Sequence, residues 1–152
     1  MVLLLDSREH LDKIKHITGY LDRHNIPYDR TKLYVGDYMR ADNALVVIDR
    51  KQNILEIANN ATQGHDRFKR ELERLTAING KMYILIEEDI KCLENVKKWV
   101  APTKRDGTPY TKLQGETLYK ILCSWQRKHN IEFVFCHKNA TAKKILELLE
   151  VK

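Results

Sequence analysis

A buried strand that runs directly into three charged residues is the strongest constraint in this chain. The run Leu45–Ile48 is apolar and mostly β-branched, which is typical of a strand inside a sheet. Asp49, Arg50 and Lys51 follow it at once. Because alternate residues of a strand point to the same side, Asp49 and Lys51 are predicted to share one face and Arg50 the other. The sequence thus predicts a carboxylate beside an ammonium group at the end of a core strand.

A second carboxylate is expected close to this strand end. Asp37 precedes Asp49 with eleven residues between them, and Asp42-Asn43 is typical of a turn joining two antiparallel strands. Cross-strand neighbours lie close enough to share a ligand. Two carboxylates suit Mg²⁺ or Mn²⁺, and a lysine beside them can orient or help deprotonate an attacking water. The pattern fits metal-assisted phosphodiester hydrolysis, although an ion pair at a strand end also explains the three charges.

Helical and strand patterns alternate along the rest of the chain. Strands are predicted at 2–5, 28–35, 44–50, 82–87 and 131–136. Helices are predicted at 10–24, 53–60, 63–79, 90–100, 113–129 and 141–149, with a loop at 101–111. This alternation predicts a three-layer α/β domain with a central mixed β-sheet flanked by helices.

Composition limits the functional classes. The 152 residues match the length of one domain, and the formal net charge of +6 suits a polyanionic partner such as DNA. The three cysteines have no disulfide or zinc spacing. The apolar start of the chain breaks at Asp6 and is interpreted as a strand rather than a signal peptide. No membrane association is expected. The expected location is intracellular, in the cytoplasm of a prokaryote or a virus-infected cell, or in a eukaryotic nucleus.

Several motifs together resemble one nuclease family. Gly36-Asp37 followed by Asp49-Arg50-Lys51 resembles the G-D-x(n)-E-R-K motif of the XPF-type, or ERCC4-domain, nucleases of the PD-(D/E)xK superfamily. The first strand ends in a D-x-R-E sequence like that family's, at Asp6-Ser7-Arg8-Glu9. The segments 64–75, 82–87 and 137–142 follow in the family's order, so the resemblance covers about 2–149. It implies a restriction-endonuclease-like fold and a Mg²⁺- or Mn²⁺-dependent DNA endonuclease.

The resemblance also implies individual roles. The metal ligands would be Asp37, Asp49 and the backbone carbonyl of Arg50, and the Arg50 side chain would contact phosphate. Lys51 would orient water or stabilise the transition state. Asp6 and Glu9 would add outer carboxylates and Arg8 would face a phosphate; the local alternative is that Asp6 and Glu9 favour the start of the helix near His10.

Two positions depart from the family's motif. Asp49 stands where the family has glutamate, which keeps the charge but shortens the side chain by one methylene. Leu55 stands where the family has a final aspartate. Glu56 is the next residue, but on a helix it is rotated by about 100° from that position.

Further DNA contacts are predicted from weaker patterns. Arg67 and Arg70 share a helix face with Arg74, Gln63 lies near the start of the same helix, and Lys104 and Arg105 belong to a basic loop near Trp99 and Tyr110. A solvated helix face and a solvated loop explain these residues equally well.

The resemblance leaves the substrate and the assembly open. Branched, flap or fork DNA is the candidate substrate, and the chain is expected to be one nuclease domain without the helix-hairpin-helix modules of larger relatives. A homodimer or a partner subunit is expected, and Leu146, Leu149 and Val151 exposed on one surface would support the dimer. The alternative function is a non-catalytic DNA-binding or dimerisation module of a nuclease complex.

Overall fold

A six-stranded mixed sheet lies between two helical layers in the computed structural model, which describes residues 1–151. The strands are β1 (Leu3–Asp6), β2 (Tyr28–Thr31), β3 (Tyr38–Arg40), β4 (Asn43–Lys51), β5 (Lys81–Ile86) and β6 (Ile131–Phe135). The helices are α1 (Lys15–Arg23), α2 (Ile54–Ala61), α3 (His65–Ala77), α4 (Gly115–Lys128) and α5 (Thr141–Leu148). The predicted three-layer α/β architecture is therefore confirmed.

Strand direction concentrates the chain's charged residues at one edge of the sheet. The spatial order is β2-β1-β3-β4-β5-β6, and β3 is antiparallel to both β1 and β4. The pairs β1–β2, β4–β5 and β5–β6 are parallel. All strands except β3 therefore end at the same edge, where β3 begins. This edge brings together Asp6, Asp37, Lys51 and Glu87.

Two apolar cores fill the space between the sheet and the helices. On one face, Val47 and Ile84 pack with residues of α2, α3 and α4, including Phe68, Leu72 and Leu122. On the other face, residues of β1, β3 and β4 pack against α1 and α5 in a second core that includes Leu5, Tyr38, Ile48, Ile17 and Ile145. Neighbours Val47 and Ile48 enter opposite cores, as strand alternation requires. The same alternation fixes which charged residue at the end of β4 faces which helical layer.

Three predicted elements differ clearly from the observed ones. The strand predicted at 28–35 ends at Thr31, because the chain then leaves the sheet and buries Leu33 and Val35. The helix predicted at 10–24 begins as a 3₁₀ turn, Leu11–Lys13, before α1. The helix predicted at 90–100 is a 3₁₀ helix, Leu93–Lys98, packed on the start of α4. Gly115 allows this packing, because a Cβ there would lie only 2.5 Å from the Val96 carbonyl oxygen.

The end of α5 does not form an exposed apolar face. Leu146 and Leu149 are buried in the core between α1, α5 and the sheet, and Val151 packs against that core. The exposure that would have supported a homodimer is thus absent from these residues. Among residues 1–151, no helix combines the length and apolarity that a membrane crossing requires.

Candidate active site

An open cavity of about 590 Å³ lies at the sheet edge where the parallel strands end. All seven residues predicted to act in catalysis line it: Asp6, Arg8, Glu9, Asp37, Asp49, Arg50 and Lys51. Residues of α2 and α3 close its other side. The structure therefore brings the predicted residues together, because the strand ends and the start of β3 meet at one edge.

Asp37 is fixed against β4 by backbone contacts. Its N–H donates to the carbonyl of Ile48 at 2.7 Å, and its Oδ2 accepts from the N–H of Arg50 at 2.8 Å. Gly36 makes this approach possible with a φ of 75°, and a Cβ there would lie 3.0 Å from the Ile48 oxygen. Burial raises the pKa of Asp37 well above its usual value, and the neighbouring Asp49 charge adds to the effect.

Asp49 and Lys51 share the predicted face of β4. The Lys51 Nζ lies 3.2 Å from Asp49 Oδ2, yet that buried oxygen accepts no hydrogen bond with adequate geometry. The ammonium also lies 5.9 Å from the centroid of the Phe68 ring. Burial alone would lower the pKa of Lys51, but the charges of Asp49 and Asp37 raise it above its usual value. Lys51 is therefore held as an ammonium ion within reach of both carboxylates.

Arg50 points to the opposite face, where it joins two carboxylates. Its guanidinium pairs with Glu9 at 3.1 Å and with Glu87, and only 3% of its side chain is exposed. A phosphate contact by this side chain stays a prediction. The guanidinium fixes the end of β4 to neighbouring elements, because buried charges require paired partners.

Glu87 was missed as the second carboxylate that pairs with Arg50. Besides Arg50, it accepts hydrogen bonds from His16 at 2.6 Å and from the Thr141 hydroxyl at 2.5 Å. These contacts connect β4 and β5 with α1 and α5. An acidic residue at the end of the predicted strand 82–87 was the sequence signal that could have revealed it.

The end of β1 supports the site rather than capping a helix. Asp6 is buried, and its carboxylate accepts from the Leu33 N–H at 3.0 Å and from Arg8 Nε at 2.8 Å. Glu9 accepts from the hydroxyl of Tyr38 and from Arg50. The alternative in which Asp6 and Glu9 favour the start of the first helix is therefore not observed. Asp6 instead orients Arg8, whose side chain is 57% exposed.

Positive charge surrounds the mouth of the cavity. Arg8, Arg67 and Arg74 line it, and Arg74 Nε donates to the carbonyl of Tyr34 at 3.1 Å. The remaining predicted DNA contacts do not line the cavity and are exposed elsewhere: Gln63, Arg70, Lys104 and Arg105. Tyr34 was missed, and its isolated position in the irregular segment after β2 gave no sequence signal.

The carboxylates of the cavity fit a divalent cation. Asp37 and Asp49 are hard oxygen donors, as is the Arg50 carbonyl, and these are the ligands that Mg²⁺ and Mn²⁺ prefer. The buried Asp49 Oδ2 without a hydrogen bond is an oxygen that a cation would satisfy. Across residues 1–151, no three acidic, histidine or cysteine side chains are grouped so as to chelate a metal. The fit therefore depends on two carboxylates and a carbonyl.

Comparison with known proteins identifies the family. The ERCC4 domain family matches residues 5–149, nearly the whole chain. The chain belongs to the ERCC4 domain family. Solved structures of XPF from Aeropyrum pernix, alone and in complex with DNA, are similar with a TM-score of 0.67 each and identities of 18% and 17%. They match 99% of this chain, which spans only 61% and 64% of those chains, and at this identity the likeness shows the fold. No curated protein matches significantly.

Within this ERCC4 domain, the acidic residues of the two helices differ from the expected pattern. Leu55, at the position of the family's final aspartate, is half-buried on α2. Glu56 lines the cavity, but its carboxylate accepts from the Gln52 N–H at 2.7 Å. Glu71 of α3 also lines the cavity and accepts from the Gly36 N–H at 3.0 Å. Burial, followed by the Asp49 charge, raises the pKa of Glu71 to about 7. Sequence reasoning missed Glu71, because no local pattern distinguishes it from the other acidic residues of α3.

Proposed function

We propose that this chain is a divalent-metal-dependent DNA endonuclease that hydrolyses phosphodiester bonds. The observation that carries the proposal is the convergence of Asp37, Asp49 and Lys51 in one open cavity, with a buried oxygen of Asp49 left without a hydrogen bond. Membership of the ERCC4 domain family supports nuclease chemistry at this position.

The chain's own residues would position the reacting groups. Asp37, Asp49 and the carbonyl of Arg50 would hold Mg²⁺ or Mn²⁺, which when bound would stabilise the negative charge that develops on the phosphate. The raised pKa of Lys51 keeps it protonated at neutral pH. In this form it would donate hydrogen bonds to the attacking water and to a phosphate oxygen. Arg50 would act as a positioning residue, because its paired guanidinium holds its own carbonyl and Asp49 in place.

DNA is the partner that the surroundings of the cavity favour. Arg8, Arg67 and Arg74 would contact backbone phosphates, and the net charge of +6 adds long-range attraction. One of the similar solved structures is described as a complex with DNA. The openness of the cavity would admit a backbone from a flap or fork junction, which we propose as the preferred substrate. A DNA substrate agrees with the expected intracellular location.

Cleavage of labelled DNA tests this proposal. Single-stranded, duplex, flap and fork DNAs would be incubated with Mg²⁺ or Mn²⁺ and with wild type, Asp49→Asn and Lys51→Met. Matched controls are Asp66→Asn, whose side chain is 93% exposed, and Lys69→Met, which is exposed on the same helix. We expect metal-dependent cutting that is lost in the two cavity variants and retained in both controls.

Two results would contradict the proposal in different ways. Cutting by Asp49→Asn at the wild-type rate would exclude this cavity as the active site. No cutting by wild type, with DNA binding intact in every variant, would favour the alternative function. The chain would then be a binding or dimerisation module that needs a catalytic partner subunit.

A further inference from the structure

Glu71 lines the cavity, although the other residues of α3 follow the usual pattern of one buried apolar face and one exposed polar face. Phe68, Leu72 and Leu75 bury one face of α3, while the acidic residues Asp66 and Glu73 are exposed to solvent. Glu71 differs from these two, because its Oε1 accepts from the backbone N–H of Gly36, the residue before Asp37. Its other oxygen, Oε2, accepts no hydrogen bond within residues 1–151. The side chain is therefore anchored at one oxygen and available to a ligand at the other.

The carboxylates around Glu71 outnumber the ammonium group that lies among them. Asp37, Asp49 and Glu71 line the cavity on the same side of β4, and Lys51 is the ammonium among them. Glu9 adds to the negative charge near Asp37, because its partner Arg50 also pairs with Glu87. Arg67 and Arg74 at the cavity mouth offset part of this negative charge. Three carboxylates facing one buried ammonium form a site that a divalent cation would suit.

The position of Glu71 also bears on the missing final aspartate of the family's motif. The motif's final acidic position is Leu55, and the adjacent Glu56 is engaged with the Gln52 N–H. The helix after β4 contributes Glu56 to the cavity lining, anchored to the Gln52 N–H just after β4, whereas Glu71 is anchored to Gly36, next to Asp37. Glu71 reaches the same cavity from the next helix. Because no three acidic side chains are grouped for direct chelation among the described residues, its contact with a cation would pass through a water molecule.

We propose that Glu71 is the third acidic residue of the cation site and acts on the cation through a water molecule held at its Oε2. The inference rests on the proposed function of the cavity and adds a residue to it. Residues that act on a metal through an intermediate partner contribute strongly to affinity, and their loss typically weakens binding by about tenfold or more. Such a role predicts an effect on cation affinity even when no DNA is present.

Calorimetric titration with MnCl₂, without DNA, tests this role independently of activity. The proteins are wild type, Glu71→Gln, Asp49→Asn and Glu73→Gln, the last being the same substitution at an exposed position of α3. Glutamine retains an oxygen that can accept from the Gly36 N–H, so the fold should be preserved, and circular dichroism would confirm it. We expect Glu71→Gln to weaken Mn²⁺ binding about tenfold or more. Glu73→Gln should stay within about twofold of wild type, because exposed charges are screened.

The possible failures are distinguishable. Wild-type affinity in Glu71→Gln, together with loss of binding in Asp49→Asn, would overturn the role of Glu71 and leave the proposed metal site intact. No Mn²⁺ binding by wild type would instead remove the metal site itself. An equal loss in Glu73→Gln would attribute the effect to general charge and would also overturn the inference.

Discussion

Removal of the Glu87 side chain should destabilise the protein strongly. Glu87 is 3% exposed and accepts from Arg50, whose side chain is also 3% exposed, and from His16 and Thr141. In Glu87→Ala these three groups lose a buried acceptor, and Arg50 keeps only Glu9. Breaking one side of a buried ion pair typically costs about 3–5 kcal/mol, because the remaining charge is left without compensation. The retained pairing with Glu9 places the expected loss near the lower end, at about 3 kcal/mol.

Urea denaturation followed by circular dichroism measures this loss. With a denaturant dependence of about 2 kcal/mol per molar urea, a loss of about 3 kcal/mol lowers the midpoint by about 1.5 M. Glu132→Ala is the matched control. Its carboxylate lies 3.2 Å from Lys81 Nζ, but the side chains of Glu132 and Lys81 are 53% and 38% exposed. An exposed pair contributes about 0–1 kcal/mol. If both variants shifted the midpoint equally, the structural importance of the Glu87 network would be refuted.

Two further predictions concern stability. Gly115→Ala should lose about 1–3 kcal/mol, because the added Cβ would lie 2.5–2.7 Å from three carbonyl oxygens. Gly19→Ala, in α1 with 3.4 Å of clearance, should instead gain about 0.5–1 kcal/mol; thermal denaturation that ranked Gly115→Ala as the more stable variant would contradict the packing argument. The second prediction concerns pH. The pKa of Glu71 is raised from 4.5 to about 7, so the native state binds more protons than the unfolded state in this interval. The metal-free protein should therefore lose stability as pH rises from about 4.5 through about 7. Urea midpoints across this pH range should fall less in Glu71→Gln than in wild type. Asp37, whose pKa is also raised, should leave a residual fall of the midpoint with pH. An equal fall in both proteins would exclude Glu71 as a source of the pH dependence.

The sequence determined the main architecture and the centre of the site. The period of two along β4 was enough to predict that Asp49 and Lys51 share a face, because side-chain alternation in a strand is a local property. The turn signal at Asp42-Asn43 likewise predicted that Asp37 would approach the strand end. The alternation of helical and strand patterns gave the three layers for the same local reason. Element ends were less predictable, as the early end of β2 at Thr31 shows.

Tertiary structure alone decided which distant side chains complete the cavity and hold the strand ends behind it. Glu71 and its partner Gly36 are separated by 35 residues in sequence, and Glu87 and its partner Arg50 by 37. No local pattern fixes such contacts, because they depend on how helices pack over the sheet edge. The burial of Leu146 and Leu149 was decided in the same way, by the docking of α5 on α1 and the sheet. The sequence by itself therefore determined which face each strand residue occupies, whereas only the folded chain determined what each face meets.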